Sequence, residues 1–195
     1  MKYSISILFL GLFLIVGCQS GTKEAKPESA VETDTASVKK IEAKKIMADA
    51  ATILSKKEVP ILCYHNIREF SNTASAVMKT NTVKPAAFAA QMKTLADAGY
   101  HTILPEQLYN YLAFDGPLPE KPIMITFDDT RIDQFTIGAA EMKKYGFKGV
   151  FFIMTVAINR PGYMTKEEIK SLSDDGHVIA SHTWDHHMVT KYSGE

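Results

Sequence analysis

From residue 58 onward the amino-acid sequence predicts an α/β domain built on a parallel sheet, and two observations carry that prediction. Short apolar runs rich in β-branched and aromatic residues alternate with longer runs that keep a helical apolar period. Three of the helical runs end on a glycine standing just before the next apolar run, at Gly99, Gly146 and Gly176, where a helix needs a left-handed C-terminal residue. A repeated strand, helix, strand order requires parallel strands with right-handed crossovers, in a doubly wound sheet or a barrel. The 195 residues, 46% hydrophobic and 23% charged, suffice for one such domain with appendages. Lys plus Arg number 22 and Asp plus Glu 22, with no basic cluster, so the chain lacks the positive footprint that nucleic-acid binding requires.

The appendages come first. Residues 1–18 read as an export signal: Lys2 precedes an apolar run over 5–16, shorter than the roughly 20 residues that span a bilayer but suited to a secretory core segment. The run ends Leu14-Ile15-Val16-Gly17-Cys18, which resembles the lipobox of bacterial lipoproteins, where the cysteine is acylated after cleavage. The resemblance implies a chain exported and held in the bacterial cell envelope, facing the periplasm or the cell surface, by lipid on Cys18; the plainer alternative is a signal peptide with an incidental cysteine. Residues 19–57 read as a polar linker too poor in large apolar residues to order itself, with helical spacing at Val38, Ile41, Lys45 and Ala48 that allows a marginal helix near its end. With Cys18 acylated, Cys63 has no disulfide partner, and its apolar neighbours suggest a small buried residue without function.

Strands are expected over 59–64, 102–104, 123–127, 150–154 and 178–180. The clearest helix has Pro85 in its first turn and Phe88, Met92, Leu95 and Ala96 on one face; others cover 105–114, 134–145 and 166–174. Thr165 and Glu168 have the spacing of a capping box for the last of these.

In parallel α/β folds chemistry gathers at the carboxyl ends of strands. Two of these ends are unusual. Strand 123–127 finishes in Asp128-Asp129, adjacent carboxylates that extended backbone turns to opposite sides, so they suit two different jobs. An equally simple reading has one of them capping the next helix. A phosphatase of the haloacid-dehalogenase type needs acidic residues two apart, a spacing absent here. Strand 178–180 is followed by His182, His186 and His187. Imidazoles four apart lie on one face of a helical turn, close enough to share one ion, and two His with a carboxylate and open positions form a catalytic arrangement.

Thr126-Phe127-Asp128-Asp129 with Ser181-His182-Thr183-Trp184-Asp185-His186 resembles the T-F-D-D and H-[ST]-x-x-H motifs of the polysaccharide deacetylases, carbohydrate esterase family 4 with the NodB homology domain. Residues 59–65, Val-Pro-Ile-Leu-Cys-Tyr-His, are similar to the start of the poly-N-acetylglucosamine deacetylase branch, whose strand-ending His reaches the active site. The resemblance runs over 58–195. It implies Asp128 as catalytic base and Asp129, His182 and His186 as ligands of a divalent metal, zinc foremost, with Co, Ni or Mn also compatible with imidazole and carboxylate. The substrate implied is an extracytoplasmic acetylated amino-sugar polysaccharide such as peptidoglycan, chitin oligomers or poly-N-acetylglucosamine, losing N-acetyl groups and, second to these, O-acetyl groups. A reading of another class is a carbohydrate-binding lipoprotein, or an inactive fragment, that keeps the ligand motifs without catalysis.

The residue types suit amide hydrolysis in their own right. A divalent ion polarises the carbonyl and lowers the pKa of water from 15.7 toward about 7; Asp128 can take the proton, and backbone N–H groups can face the oxyanion. His65 is the candidate acid for the leaving nitrogen, its alternative being a strand-end His bonded to backbone. His101 and His177 begin strands and read as structural, and His187 as a neighbour of the site. There are two departures from the family pattern. Thr130 stands where a glycine commonly follows T-F-D-D, and the family's later motifs would lie beyond Glu195, so the expected architecture is a truncated (β/α) barrel with a C-terminally incomplete catalytic domain.

Overall fold

The computed structural model of the chain describes residues 46–188 and 190. The signal segment, the Cys18 lipobox and the linker as far as residue 45 lie outside the described residues. What is described of the expected marginal helix is α1 (Ala50–Ser55); it starts where the Asp49 carboxylate accepts from Thr52 N at 2.8 Å, so Ala48 falls before it.

The chain then runs through β1 (Ile61–Tyr64), β2 (Asn66–Ile67), α2 (Ala76–Thr80), β3 (Thr82–Val83), α3 (Pro85–Asp97), β4 (His101–Thr102), α4 (Pro105–Phe114) and β5 (Pro122–Phe127). A π-helical stretch, Gln134–Ala139, leads into α5 (Ala140–Lys143), followed by β6 (Val150–Ile153), α6 (Lys166–Asp174) and β7 (Val178–Ser181). All five expected strands form one five-stranded sheet with β5 at its middle, and every pairing is parallel. The register sets Cys63 beside Thr126, Thr126 beside Val150, and Ile153 beside Ser181.

Helix boundaries follow the local chemistry. Pro85 and Pro105 open α3 and α4, where a missing N–H costs nothing. That is also why β4 stops at Thr102 and does not reach Leu104: Leu104 is already the residue capping α4. The Thr165 and Glu168 pair forms the expected capping box, with Glu168 N donating to Thr165 Oγ1 at 3.2 Å and Thr165 N to Glu168 Oε2 at 2.7 Å. Gly99, Gly146 and Gly176 take φ values of +73°, +69° and +87°, the left-handed closure read from the sequence. The pair β2 and β3 was not expected, because two residues each carry no readable period.

The two faces of the sheet are packed differently. One face holds Ile125, Phe127, Phe151 and Ile153 under Phe88 and Met92 of α3, Met142 of α5 and Leu172 of α6. Phe127 and Phe151 are fully buried and stack at 4.6 Å between ring centroids. The opposite face carries a smaller cluster of Ile103, Met124 and Val150. The helix expected over 134–145 is π-wound in its first half, which brings Gly138 so near Phe127 and Ile67 that a Cβ there would sit 3.1 Å and 3.0 Å from their side chains.

Candidate metal centre

Strand alternation decides which side chains meet. Cys63 and His65 leave β1 on the side toward which Thr126 and Asp128 leave β5, and Asp129, one residue further, is directed elsewhere. Asp128 joins Cys63 and His65, while Asp129 joins His182 and His186; within each trio one ligand atom per residue lies within 4.8 Å of the others. His182 Nε2 is 3.4 Å and His186 Nε2 3.7 Å from Asp129 Oδ1, and the imidazole centroids are 4.7 Å apart. His187 instead sets Nδ1 at 2.5 Å from Asp185 Oδ2.

The second trio fits a divalent cation. Asp129 Oδ1 and His182 Nε2 are both buried without a hydrogen-bond partner, and an unpaired buried carboxylate oxygen beside an unpaired imidazole nitrogen is costly. One ion accepting lone pairs from both removes that cost, and carboxylate with two imidazoles is a donor set that zinc and its neighbours accept. The capping role open to Asp129 is not what its Oδ1 does.

Backbone shape achieves the convergence, though not by the helical turn expected for residues 182–186. These residues form a tight turn in which Thr183 and His186 take φ of +60° and +65°, and His186 N donates to Thr183 Oγ1 at 2.9 Å. Asp129 and Thr130 are left-handed as well, at +79° and +61°. Such values are rare for non-glycine residues and gather where function imposes them. Thr130 thus adopts the conformation that glycine would take freely. It is fully buried, and its hydroxyl accepts from Met154 N at 2.7 Å.

Other residues at the site escaped the sequence reading. Gln134 is fully buried, and its side-chain amide donates to the carbonyl oxygens of His65, at 2.7 Å, and Asp128, tying the ends of β1 and β5 together. Asp133 is buried beside it and accepts from Arg68 Nε at 2.9 Å; burial pushes its carboxyl above the ordinary range, with Arg68 pulling it back. The only sequence signal was polar residues on the inner side of an otherwise apolar helical run, which also fits a helix start. Cys63, expected to be buried, is exposed, because β1 is an edge strand whose alternate residues face open space. Burial of its sulfur relative to water, with the nearby Asp128 carboxylate, still pushes the thiol up. His177 is structural in the described fold. Its Nδ1 accepts from Gly149 N at 3.0 Å, its ring meets Phe151 edge-on, and burial lowers its pKa to about 4.

Fold and site together define an α/β protein whose parallel strands, flanked by helices, present an Asp-His-His cluster at their carboxyl ends. Residues 115–195 match the polysaccharide deacetylase family model. The chain is 33% identical over 189 residues to YxkH of Bacillus subtilis, a protein assigned to the polysaccharide deacetylases, covering 92% of this chain and 65% of that one. It is 33% identical over 92 residues to the peptidoglycan-N-acetylglucosamine deacetylase PgdA of Listeria monocytogenes, covering 43% of this chain and 19% of that one. The solved structure of the Streptococcus pyogenes deacetylase PplD in complex with acetate superposes with a TM-score of 0.61 at 27% identity, covering 69% of this chain and 60% of that one. By these matches the chain is similar to the polysaccharide deacetylases, a family whose members are generally dependent on a divalent metal. The chain spans less than two thirds of the length of each of these relatives.

Proposed function

We propose that this chain is a metal-dependent deacetylase that removes N-acetyl groups from an extracytoplasmic amino-sugar polymer, peptidoglycan being the substrate class that the PgdA relative favours. The observation that carries the proposal is the division of two neighbouring carboxylates between two trios, one suited to an ion and one suited to proton transfer. Asp129, His182 and His186 would hold zinc or a similar divalent ion, which would supply Lewis acidity toward the amide carbonyl and lower the pKa of the attacking water. Asp128 takes the proton of the attacking water. His65, its ligand atom within 4.8 Å of those of Asp128 and Cys63, gives a proton to the sugar nitrogen as the carbon–nitrogen bond breaks, leaving acetate and a free amine. Trp184, 63% exposed between the two histidines in the chain, offers a flat apolar surface to a sugar ring. Lipid on Cys18 would hold the enzyme in the envelope, against its substrate.

The test is metal content and deacetylation of an N-acetylglucosamine oligomer, measured together. Asp129→Asn, His182→Ala and His186→Ala lose metal, and His187→Ala keeps it. Asp128→Asn keeps metal and loses activity by roughly 10² to 10⁴, the size of a general-base contribution. Metal lost in Asp128→Asn and kept in Asp129→Asn would reverse the two roles. Release of the protein from membranes by Cys18→Ser checks the anchor.

A further inference from the structure

We infer that Cys63, His65 and Asp128 form a second, thiophilic cation site that shares no ligand with the first. The three come from adjacent parallel strands: Cys63 and His65 sit two apart on and just beyond β1, and Asp128 follows β5 two residues after Thr126, the partner of Cys63 in register. Period-two alternation therefore turns all three side chains to one face. Gln134 fixes the spacing by binding the carbonyl oxygens of both His65 and Asp128. Sulfur, nitrogen and oxygen ligand atoms lie within 4.8 Å of one another. A tetrahedral ion with bonds of about 2.0–2.3 Å needs its ligands about 3.3–3.8 Å apart, so a small side-chain rotation closes the set. Cys63 is the exposed member of the three.

The donor types select the ion. Thiol with imidazole and carboxylate suits zinc or cadmium and gives magnesium or manganese no advantage, whereas the first trio has no sulfur. Binding replaces the S–H bond of Cys63 with a sulfur–metal bond and releases the proton to solvent. Because the first site draws its ligands from Asp129 and two histidines, both sites can fill at once, and zinc at the second engages both groups assigned to proton transfer. That consequence, inhibition by excess zinc, rests on the function proposed above; the binding itself does not.

The experiment uses the full chain and follows alkylation of Cys63 by iodoacetamide, read on the peptide carrying Cys63 so that Cys18 does not contribute. Zinc is expected to slow alkylation at least tenfold in the wild type and in His182→Ala, where the first site is crippled. Magnesium should not slow it, and His65→Ala should abolish the protection. Alkylation at the same rate with and without zinc overturns the site, as does protection that vanishes in His182→Ala and survives in His65→Ala. In parallel, deacetylation by the wild type should rise and then fall with added zinc, while Cys63→Ser shows no falling limb. Protection without a falling limb in the wild type keeps the cation site and removes Asp128 and His65 from the reaction, so the two readings fail separately.

Discussion

The two strand ends that supply the Asp129, His182 and His186 cluster are built in opposite ways. At the end of β5 the backbone is buried and tied: Thr130 and Gln134 have no exposure, Phe127 just before them is sealed in the core, and Gln134 pins the carbonyl of Asp128. At the end of β7, past the half-buried His182, most residues lie in water, with 58% of the His186 side chain, 63% of Trp184 and 64% of Met188 accessible. Two backbone bonds, His182 N to Ile153 O at 2.9 Å and Val156 N to Trp184 O at 3.0 Å, attach that turn to the rest. The carboxylate is thus preorganised and the histidines are adjustable, so an ion bound between them should stabilise the turn after β7 far more than the strand end it faces.

The sharpest way to break this contrast is to remove the support under β5. Phe127→Ala should lower unfolding free energy by about 3–5 kcal/mol in a urea titration, as full burial against Phe151 implies, while Trp184→Ala should change it by no more than about 0.5 kcal/mol. A fall of similar size in both would mean that the turn after β7 is as firmly built as β5.

Gln134→Leu comes next. It leaves two strand-end carbonyls without their donor and should cost about 1–3 kcal/mol. It should also loosen the placement of Asp128 and His65, lowering kcat of the deacetylation proposed above and leaving an ion at Asp129, His182 and His186 in place.

The third concerns the other end of β7, which His177 anchors. Its folded pKa of about 4 lies below the ordinary 6.5, so the unfolded chain binds the extra proton between those values. The stabilisation is present above pH 6.5 and is lost as pH falls toward 4. Denaturation midpoints of wild type and His177→Asn should therefore diverge across this window, the wild type losing about 2 kcal/mol more on acidification.

The smallest effect separates strain from hydrogen bonding at Thr130. Glycine relieves a left-handed conformation worth about 1 kcal/mol, and alanine does not, while both lose the bond that Met154 N donates. Thr130→Ala should therefore be less stable than Thr130→Gly by about 1 kcal/mol. Equal stability would show that the backbone relaxes and stores no strain there.

The same contrast separates what the sequence displayed from what it concealed. Elements at β5, α3 and α6 were legible because burial writes a period into the chain and caps write their residue types: Pro85, the Thr165 and Glu168 pair, and the glycines at 99, 146 and 176. The Asp-His-His trio was legible through motif resemblance, since no period relates Asp129 to His182. The clamp by Gln134 was invisible, because a glutamine's bonds to two distant carbonyls depend on the tertiary path and leave no local pattern. For the same reason the sequence suggested a helical turn for 182–186. A spacing of four fits either geometry, and only the positive φ of Thr183 and His186 distinguishes them.

Those left-handed residues have a consequence for the way the protein can be altered. Asp129, Thr130, Thr183 and His186 each sit where glycine would be more comfortable, and two of them, Asp129 and His186, belong to the cluster proposed to hold the ion. Selection for heat resistance alone will find Thr183→Gly attractive, because it removes strain at a solvent-exposed position. The same change removes the hydroxyl that receives His186 N and lets the turn wander. Variants evolved for endurance at this loop should therefore hold their ion less tightly, and those evolved for tight binding should melt sooner.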